Sequence, residues 1–317
     1  MKKILLSTAL LGATAGMAAA EVSFSGYGRF GLEYREGRAQ ETQIAMRLRF
    51  NINTKVETDS GVTFGGRIRM QYTDGGNDGT NNNNGDRIGS ATISPAYVYA
   101  SYEGFRVEVG NSNTAYDSAA LMYDSEMGFL DTSSGDPIGD FYAFAGTPGD
   151  YGSEINRMGI FASYSVGDFN GRVSYVTPDQ TDDSLPVGTE EELGISLDYT
   201  FGSFTVSAAY VTNGLGIADN DLTFVGAAYT FNDVGTAGIL YFKDDLNDDT
   251  LVTLYGNYKF NAITARAYVG FSEDLGSEDT SFGLGADYDL GGARLSGSIQ
   301  SNFDGDMEGD VGVRFDF

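Results

Sequence analysis

From Val22 onward the chain alternates with a period of two. Val22, Phe24, Gly26, Gly28, Phe30, Leu32 and Tyr34 fall on one side, and Ser23, Ser25, Tyr27, Arg29, Gly31, Glu33 and Arg35 on the other. That period belongs to a strand with one apolar and one polar face. Ile44, Met46, Leu48, Phe50 and Ile52 then oppose Arg47, Arg49, Asn51 and Asn53. After the turn signal Thr58-Asp59-Ser60-Gly61, Val62, Phe64, Ile68, Met70 and Tyr72 oppose Thr63, Arg67, Arg69 and Gln71. The pattern closes with Val311, Val313, Phe315 and Phe317 against Asp310, Gly312, Arg314 and Asp316. In every clearly alternating strand the apolar face is free of charge. Near 91–102 and 235–243 either phase could be outward.

Composition removes whole classes of function. The 317 residues include no His, Cys or Trp, so thiol catalysis, disulfides, imidazole proton transfer and His/Cys metal sites are excluded. Forty-five acidic residues against 19 basic ones give a net charge of −26, the wrong sign for a nucleic-acid partner. Carboxylate pairs could in principle serve a glycosidase, but so acidic a chain yields such pairs by chance. Gly26-Tyr27-Gly28-Arg29-Phe30-Gly31 fits a dinucleotide-binding fingerprint, yet it lies inside an alternating strand with no helix after it.

Lys2 and Lys3 precede an apolar run from Ile4 to Leu11, and small residues end in Ala18-Ala19-Ala20 before Glu21. Residues 1–20 read as an export signal cleaved after Ala20, because the run is too short to span a membrane. Residues 21–317 are then one unit.

A repeat underlies the alternation. Tyr164-Ser165-Val166, Tyr199-Thr200-Phe201, Tyr229-Thr230-Phe231, Tyr258-Lys259-Phe260 and Tyr288-Asp289-Leu290 each lead into a short turn. Longer acidic stretches (179–192, 214–221, 244–249, 273–279) separate the hairpins. Short and long connections alternate as seven and eight, which requires sixteen strands. A secreted sandwich with one wet face explains neither this asymmetry nor the aromatics gathered at one end. An antiparallel up-and-down transmembrane β-barrel explains both, with an aromatic girdle at one interface. Arg or Lys on the lipid face costs roughly 2–4 kcal/mol at the midplane, so the charged face must line water. Closure leaves no unpaired edge in hydrocarbon.

One connection is far too long. About 40 residues separate the strand ending at Gly110 from the one starting near Ile155, and such loops are usually functional. This third loop (113–154) carries Asp117, Asp124, Glu126, Asp131, Asp136 and Asp140, with Asp150 further on. It also carries Leu121, Met122, Phe129, Ile138, Phe141 and Phe144, which a loop in free solvent would not need. Folded into the barrel it could pack these on one wall and present carboxylates to a channel. Arg29, Arg47, Arg49, Arg67 and Arg69 stand opposite, and facing charges across a narrow gap would set up a transverse field.

The chain resembles the general diffusion porins of Gram-negative outer membranes, of the alphaproteobacterial type. The resemblance spans 21–317 and rests on the order and spacing of several short motifs. These are Glu21-Val22-Ser23-Phe24-Ser25-Gly26, Thr58-Asp59-Ser60-Gly61-Val62-Thr63-Phe64-Gly65, Tyr288-Asp289-Leu290-Gly291-Gly292 and Gly312-Val313-Arg314-Phe315-Asp316-Phe317. It implies a homotrimer in outer-membrane lipid, a third loop forming the constriction and a basic wall facing it. It further implies an assembly signal in Phe315 and Phe317. Relatives can bind calcium among loop carboxylates; here Asp244, Asp245, Asp248 and Asp249 cluster without convincing ligand spacing. The second loop, Asp74 to Asp86, could latch a neighbouring subunit. The expected function is passive diffusion of ions and small hydrophilic solutes, with no cofactor. The alternative is a substrate-selective channel, such as one for sugars, for which Tyr27, Phe161, Tyr255 and Tyr268 are inward-pointing aromatics without an evident track. An enzyme or adhesin anchored by the barrel is a third reading.

Overall fold

The computed structural model describes residues 20–73, 90–145, 157–181, 185–232 and 234–317. Most of the expected export signal, all of the expected second-loop latch and the end of the third loop lie outside the described residues.

Among the described residues sixteen strands cross from end to end. They are β1 Glu21–Arg35, β2 Thr42–Glu57, β3 Thr63–Thr73, β4 in two pieces (Ser90–Ile93 and Tyr97–Tyr102), β5 Phe105–Gly110, β6 Met158–Val166, β7 Phe169–Thr177 and β8 Glu192–Phe201. The second half comprises β9 Phe204–Thr212, β10 Leu222–Phe231, β11 Gly235–Asp244, β12 Asp249–Phe260, β13 Ile263–Phe271, β14 Thr280–Asp289, β15 Arg294–Ser301 and β16 Met307–Asp316. Each pairs antiparallel with its sequence neighbours, and β1 pairs with both β2 and β16. Tyr27 lies opposite Arg49 on one side and Asp316 on the other, so the sheet is closed. Phe317 completes the seam, its N–H donating to Gly26 O (3.0 Å) and its carbonyl accepting from Gly26 N (2.8 Å).

Turn chemistry explains the connections. Hairpin turns that match strand twist need positive φ, and Asn232 (51°), Asn261 (54°) and Gly202 (62°) supply it in three of the short ones. The outer wall is apolar, as the alternation demands, and the rings gather at the short-turn end. Tyr199, Phe201, Phe204, Tyr229, Phe231 and Tyr258 form an unbroken succession with centroids 4.8–6.4 Å apart. Phe315 and Phe317 extend the same belt across the seam, 6.4 Å apart.

The two strands of ambiguous phase have physical explanations. In β4, Arg67 pairs with Tyr97 and Met70 with Ile93, so three residues (94–96) oppose two. This is a bulge at Pro95, which has no N–H to give the ladder. It switches the outward set from Ile93 to Val98. In β11, Leu240 and Phe242 face inward and are fully buried, while Lys243 faces outward at the long-loop end, 2.5 Å from Asp245. The inner wall is apolar here because the long loop lies on it.

Candidate functional site

The loop after β5 folds into the barrel, and the inner face of the strands determines its course. Its start is held at β7 and β8. Ser174 Oγ accepts from Ala115 N (2.8 Å), and the Asp198 carboxylate accepts from Ala120 N (3.0 Å) while also pairing with Arg172. Tyr116, Met122, Met127 and Ile138 then pack into one cluster with the inward Val211, Leu222, Phe224, Leu240, Phe242 and Leu251. Fully burying such side chains contributes roughly 1.5–3 kcal/mol each, so this apolar bed is the loop's main support.

The tip is a small hairpin closed by Met127 and Thr132, which exchange hydrogen bonds of 3.2 Å. It rests on the far wall. The Asp310 carboxylate accepts from Phe129 N (3.1 Å) and Leu130 N (3.3 Å), and Arg29 donates to Leu130 O (2.5 Å). The Phe129 ring lies against backbone at Gly31 and Gly312. A Cβ on Gly312 would sit 2.7 Å from that ring. The returning limb is tied by Tyr268, whose hydroxyl accepts from Ser134 N (3.1 Å), and by Thr253 Oγ1, which donates to Gly135 O (2.9 Å). Glu192 accepts from Tyr142 N (2.7 Å), and Asn111 exchanges two bonds with the backbone of Ala145. Phe144 ends against Tyr97, with centroids 5.9 Å apart. The loop's apolar groups therefore divide among three stretches of wall rather than one.

All five arginines of the expected basic wall lie on the inner face of β1–β3. Four of the side chains are spread by neutral hydrogen bonds from Nε: Arg47 to Thr73 (3.1 Å), Arg49 to Gln71 (2.7 Å), Arg67 to Asn53 (2.9 Å) and Arg69 to Asn51 (2.9 Å). Among the described residues, no carboxylate lies within ion-pair distance of Arg47, Arg67 or Arg69. Rings support the guanidinium groups from beneath. Tyr27 sits under Arg49 (4.9 Å to the centroid) and Arg314 (4.1 Å), and Phe144 under Arg69 (4.4 Å). An aqueous opening of about 570 Å³ is lined by Arg49, Arg67, Arg69 and Arg106 together with Asp117 and Ser118 of the loop.

The six loop acids occupy different settings. Asp117, at that opening, accepts from the Tyr123 hydroxyl (2.6 Å), and burial holds its carboxyl above the usual range. Asp124 accepts from Tyr255 (2.7 Å) and, with Glu126, lines a second opening of about 500 Å³. Burial, and then the neighbouring Asp136, raise the Glu126 carboxyl. Asp136 is itself raised by burial although Ser125 donates to it (2.8 Å). Asp131 is ion-paired with Arg294 and Arg314. Asp140 is exposed beside the loop after β9, where its carbonyl accepts from Asn220 (2.9 Å). Asp150 lies outside the described residues.

Several contributors were not singled out by sequence: Arg294 and Arg314 as partners of the tip, Asp310 and Asp198 as acceptors of loop backbone, and Arg106 at the first opening. Arg106 was legible by phase, since Val107 and Val109 flank the inward Glu108. In the 244–249 turn, Asp244 accepts from Leu246 N (2.9 Å) and Asn247 N (3.1 Å), and Asp245 and Asp248 face Lys243. Among the described residues no three acidic side chains gather as a metal site.

Comparison with known proteins agrees with this architecture. Residues 7–304 match the family model described as Gram-negative porin. The chain is 46% identical over 302 residues to a porin of Fuscovulum blasticum, covering 94% of this chain and all of that one. It is 27% identical over 322 residues to a porin of Rhodobacter capsulatus, with the same coverage. Among solved structures, a triple mutant of the Rhodopseudomonas blastica porin superposes with a TM-score of 0.84 at 43% identity, over 94% of this chain and 100% of that chain.

Proposed function

The chain belongs to the Gram-negative porin family, and from that premise we propose how its lumen discriminates among solutes. Members of the family are channels, and this one is a general diffusion pore of the outer membrane, passing ions and small hydrophilic solutes down their gradients. The third loop is its constriction. Arg29, Arg47, Arg49, Arg67 and Arg69 form the basic side of the narrow zone, and Asp117, Asp124 and Glu126 form the acidic side.

The observation that carries this reading is the state of Arg47, Arg67 and Arg69. Their Nε atoms bind neutral acceptors, their charges have no carboxylate partner among the described residues, and Asp117 shares the opening with Arg67 and Arg69. Unneutralised guanidinium groups facing carboxylates across water orient dipolar solutes and penalise apolar ones, since low-dielectric walls focus the field. Replacing Arg67 and Arg69 together by Ser raises cation selectivity in planar bilayers. An unchanged reversal potential under a salt gradient would remove them from the narrow zone.

Residues 1–20 act as an export signal, checked by the N-terminal mass of the protein isolated from outer membranes. Three copies assemble, checked by closure of single insertions in three conductance steps. Phe315 and Phe317 serve as the recognition element for barrel assembly, checked by the yield of folded Phe317→Ser protein.

A further inference from the structure

Four arginines lie in a single cross-strand row. Arg47 is directly opposite Arg29, Arg29 is opposite Arg314, and Arg314 is opposite Arg294, so β2, β1, β16 and β15 each contribute one. Side chains so placed stand about 4.5–5.5 Å apart at Cβ, and like charges there repel. A row of this kind attracts a counter-charge. Among the described loop residues one carboxylate reaches it: Asp131 pairs with Arg294 and Arg314 and lies 3.9 Å from Arg29.

The three guanidinium groups around Asp131 are arranged as an oxyanion site. They converge from adjacent strands, and two of them, Arg294 and Arg314, line a water-accessible cavity of about 500 Å³ together with Asp131. The buried Nε of Arg294 has no acceptor among the described residues, so the carboxylate does not exhaust the donors. Planar forks of this kind bind phosphate and carboxylate alike. The backbone also holds the carboxylate in place, since Asp131 sits at φ 51° in the left-handed region that Asp and Asn tolerate.

We propose that Asp131 is a built-in counter-anion: it fills an oxyanion site made by Arg29, Arg294 and Arg314, and so keeps phosphate-class solutes from lodging there and sets the ion preference of the pore. This rests on the channel reading and adds an anion subsite to it. With the carboxylate gone, Arg29 and Arg294 would lose their acidic partner and Arg314 would keep, among the described residues, only the exposed Asp316, 3.5 Å away, so that a multivalent oxyanion would take the vacated place.

Asp131→Asn tests the charge alone, because the amide keeps both the shape and the left-handed backbone preference. In planar bilayers under a potassium chloride gradient, the cation-over-anion permeability ratio falls roughly twofold or more relative to wild type. Millimolar inorganic phosphate, added against chloride of matched ionic strength, lowers the conductance of Asp131→Asn and leaves the wild type unchanged. Asp131→Glu restores wild-type behaviour. Should Asp131→Asn not assemble, Arg294→Gln in the wild-type loop shifts the ratio the opposite way, toward cations. A reversal potential unmoved in whichever variant is recorded, or equal phosphate block in wild type and Asp131→Asn, overturns the proposal. A higher conductance with the same reversal potential and no block also overturns it, assigning Asp131 a purely structural part. A wild-type protein that does not conduct would instead sink the channel reading.

Discussion

The two halves of the inner wall are built on opposite principles. The arc from β1 to β3 carries guanidinium groups held by neutral hydrogen bonds, and Arg29, Arg49, Arg67 and Arg69 also lie over a ring. The arc from β7 to β13 carries Leu, Phe and Val at equivalent inward positions, with isolated carboxylates and hydroxyls that accept or donate to loop backbone. The first arc keeps its charge available at some cost in repulsion. The second buries apolar surface and leaves almost no donor idle. Field and support are thus largely separated around the circumference, with Arg29 at the tip contact serving both, and a substitution elsewhere in one arc should disturb a different observable from a substitution in the other.

The largest expected effect lies in the support. Phe242→Ala removes a fully buried ring stacked 5.0 Å from Phe224, beneath the loop. It should cost about 3–5 kcal/mol, read as a lower unfolding midpoint together with greater open-channel noise. Asp310→Ala comes next. It strips the acceptor from two backbone N–H groups at the tip and should cost about 1–3 kcal/mol, with a rise in single-channel conductance as the tip loosens. Arg47→Gln, in the other arc, should change stability by less than about 0.5 kcal/mol yet move the reversal potential toward cations. If Arg47→Gln unfolded the barrel, or Phe242→Ala altered selectivity alone, the separation of roles would fail.

The smallest effect is one of pH. Glu126 and Asp136 take up protons above the usual carboxylate range. The fold favours their protonated forms, so loop packing is tightest at low pH and weakens as pH rises through the raised values. Lowering pH from the alkaline side should reduce cation preference well before ordinary carboxylates titrate, Glu126 taking up its proton before Asp136. Replacing both by their amides should flatten that part of the profile.

Much of this was legible in the chain itself, and the limits have physical causes. Period-two alternation is local, so sixteen strands, their seven short turns and the inward phase of Arg29, Arg47, Arg49, Arg67 and Arg69 follow from neighbouring residues alone. The path of the third loop is not local. Phe129 is seated on Gly31 and Gly312, and Asp131 on Arg294 and Arg314, at separations of roughly a hundred residues or more. No periodicity within the loop encodes which acid finds which partner. β11 misleads for a related reason: Leu240 and Phe242 are apolar on the water side because protein, not water, covers them. In β4 a single added residue at Pro95 reverses the phase midway.

The loop's many attachments around the circumference have a mechanical consequence. Fastened at β7, β8, β12, β13, β15, β16 and β1, the loop cannot swing independently of the cylinder. Compressing the barrel sideways toward an oval would carry both limbs with it and change the width of the gap directly. The aperture would therefore be as stiff as the hoop that surrounds it, and lateral pressure from the bilayer would reach conductance through the shape of the wall.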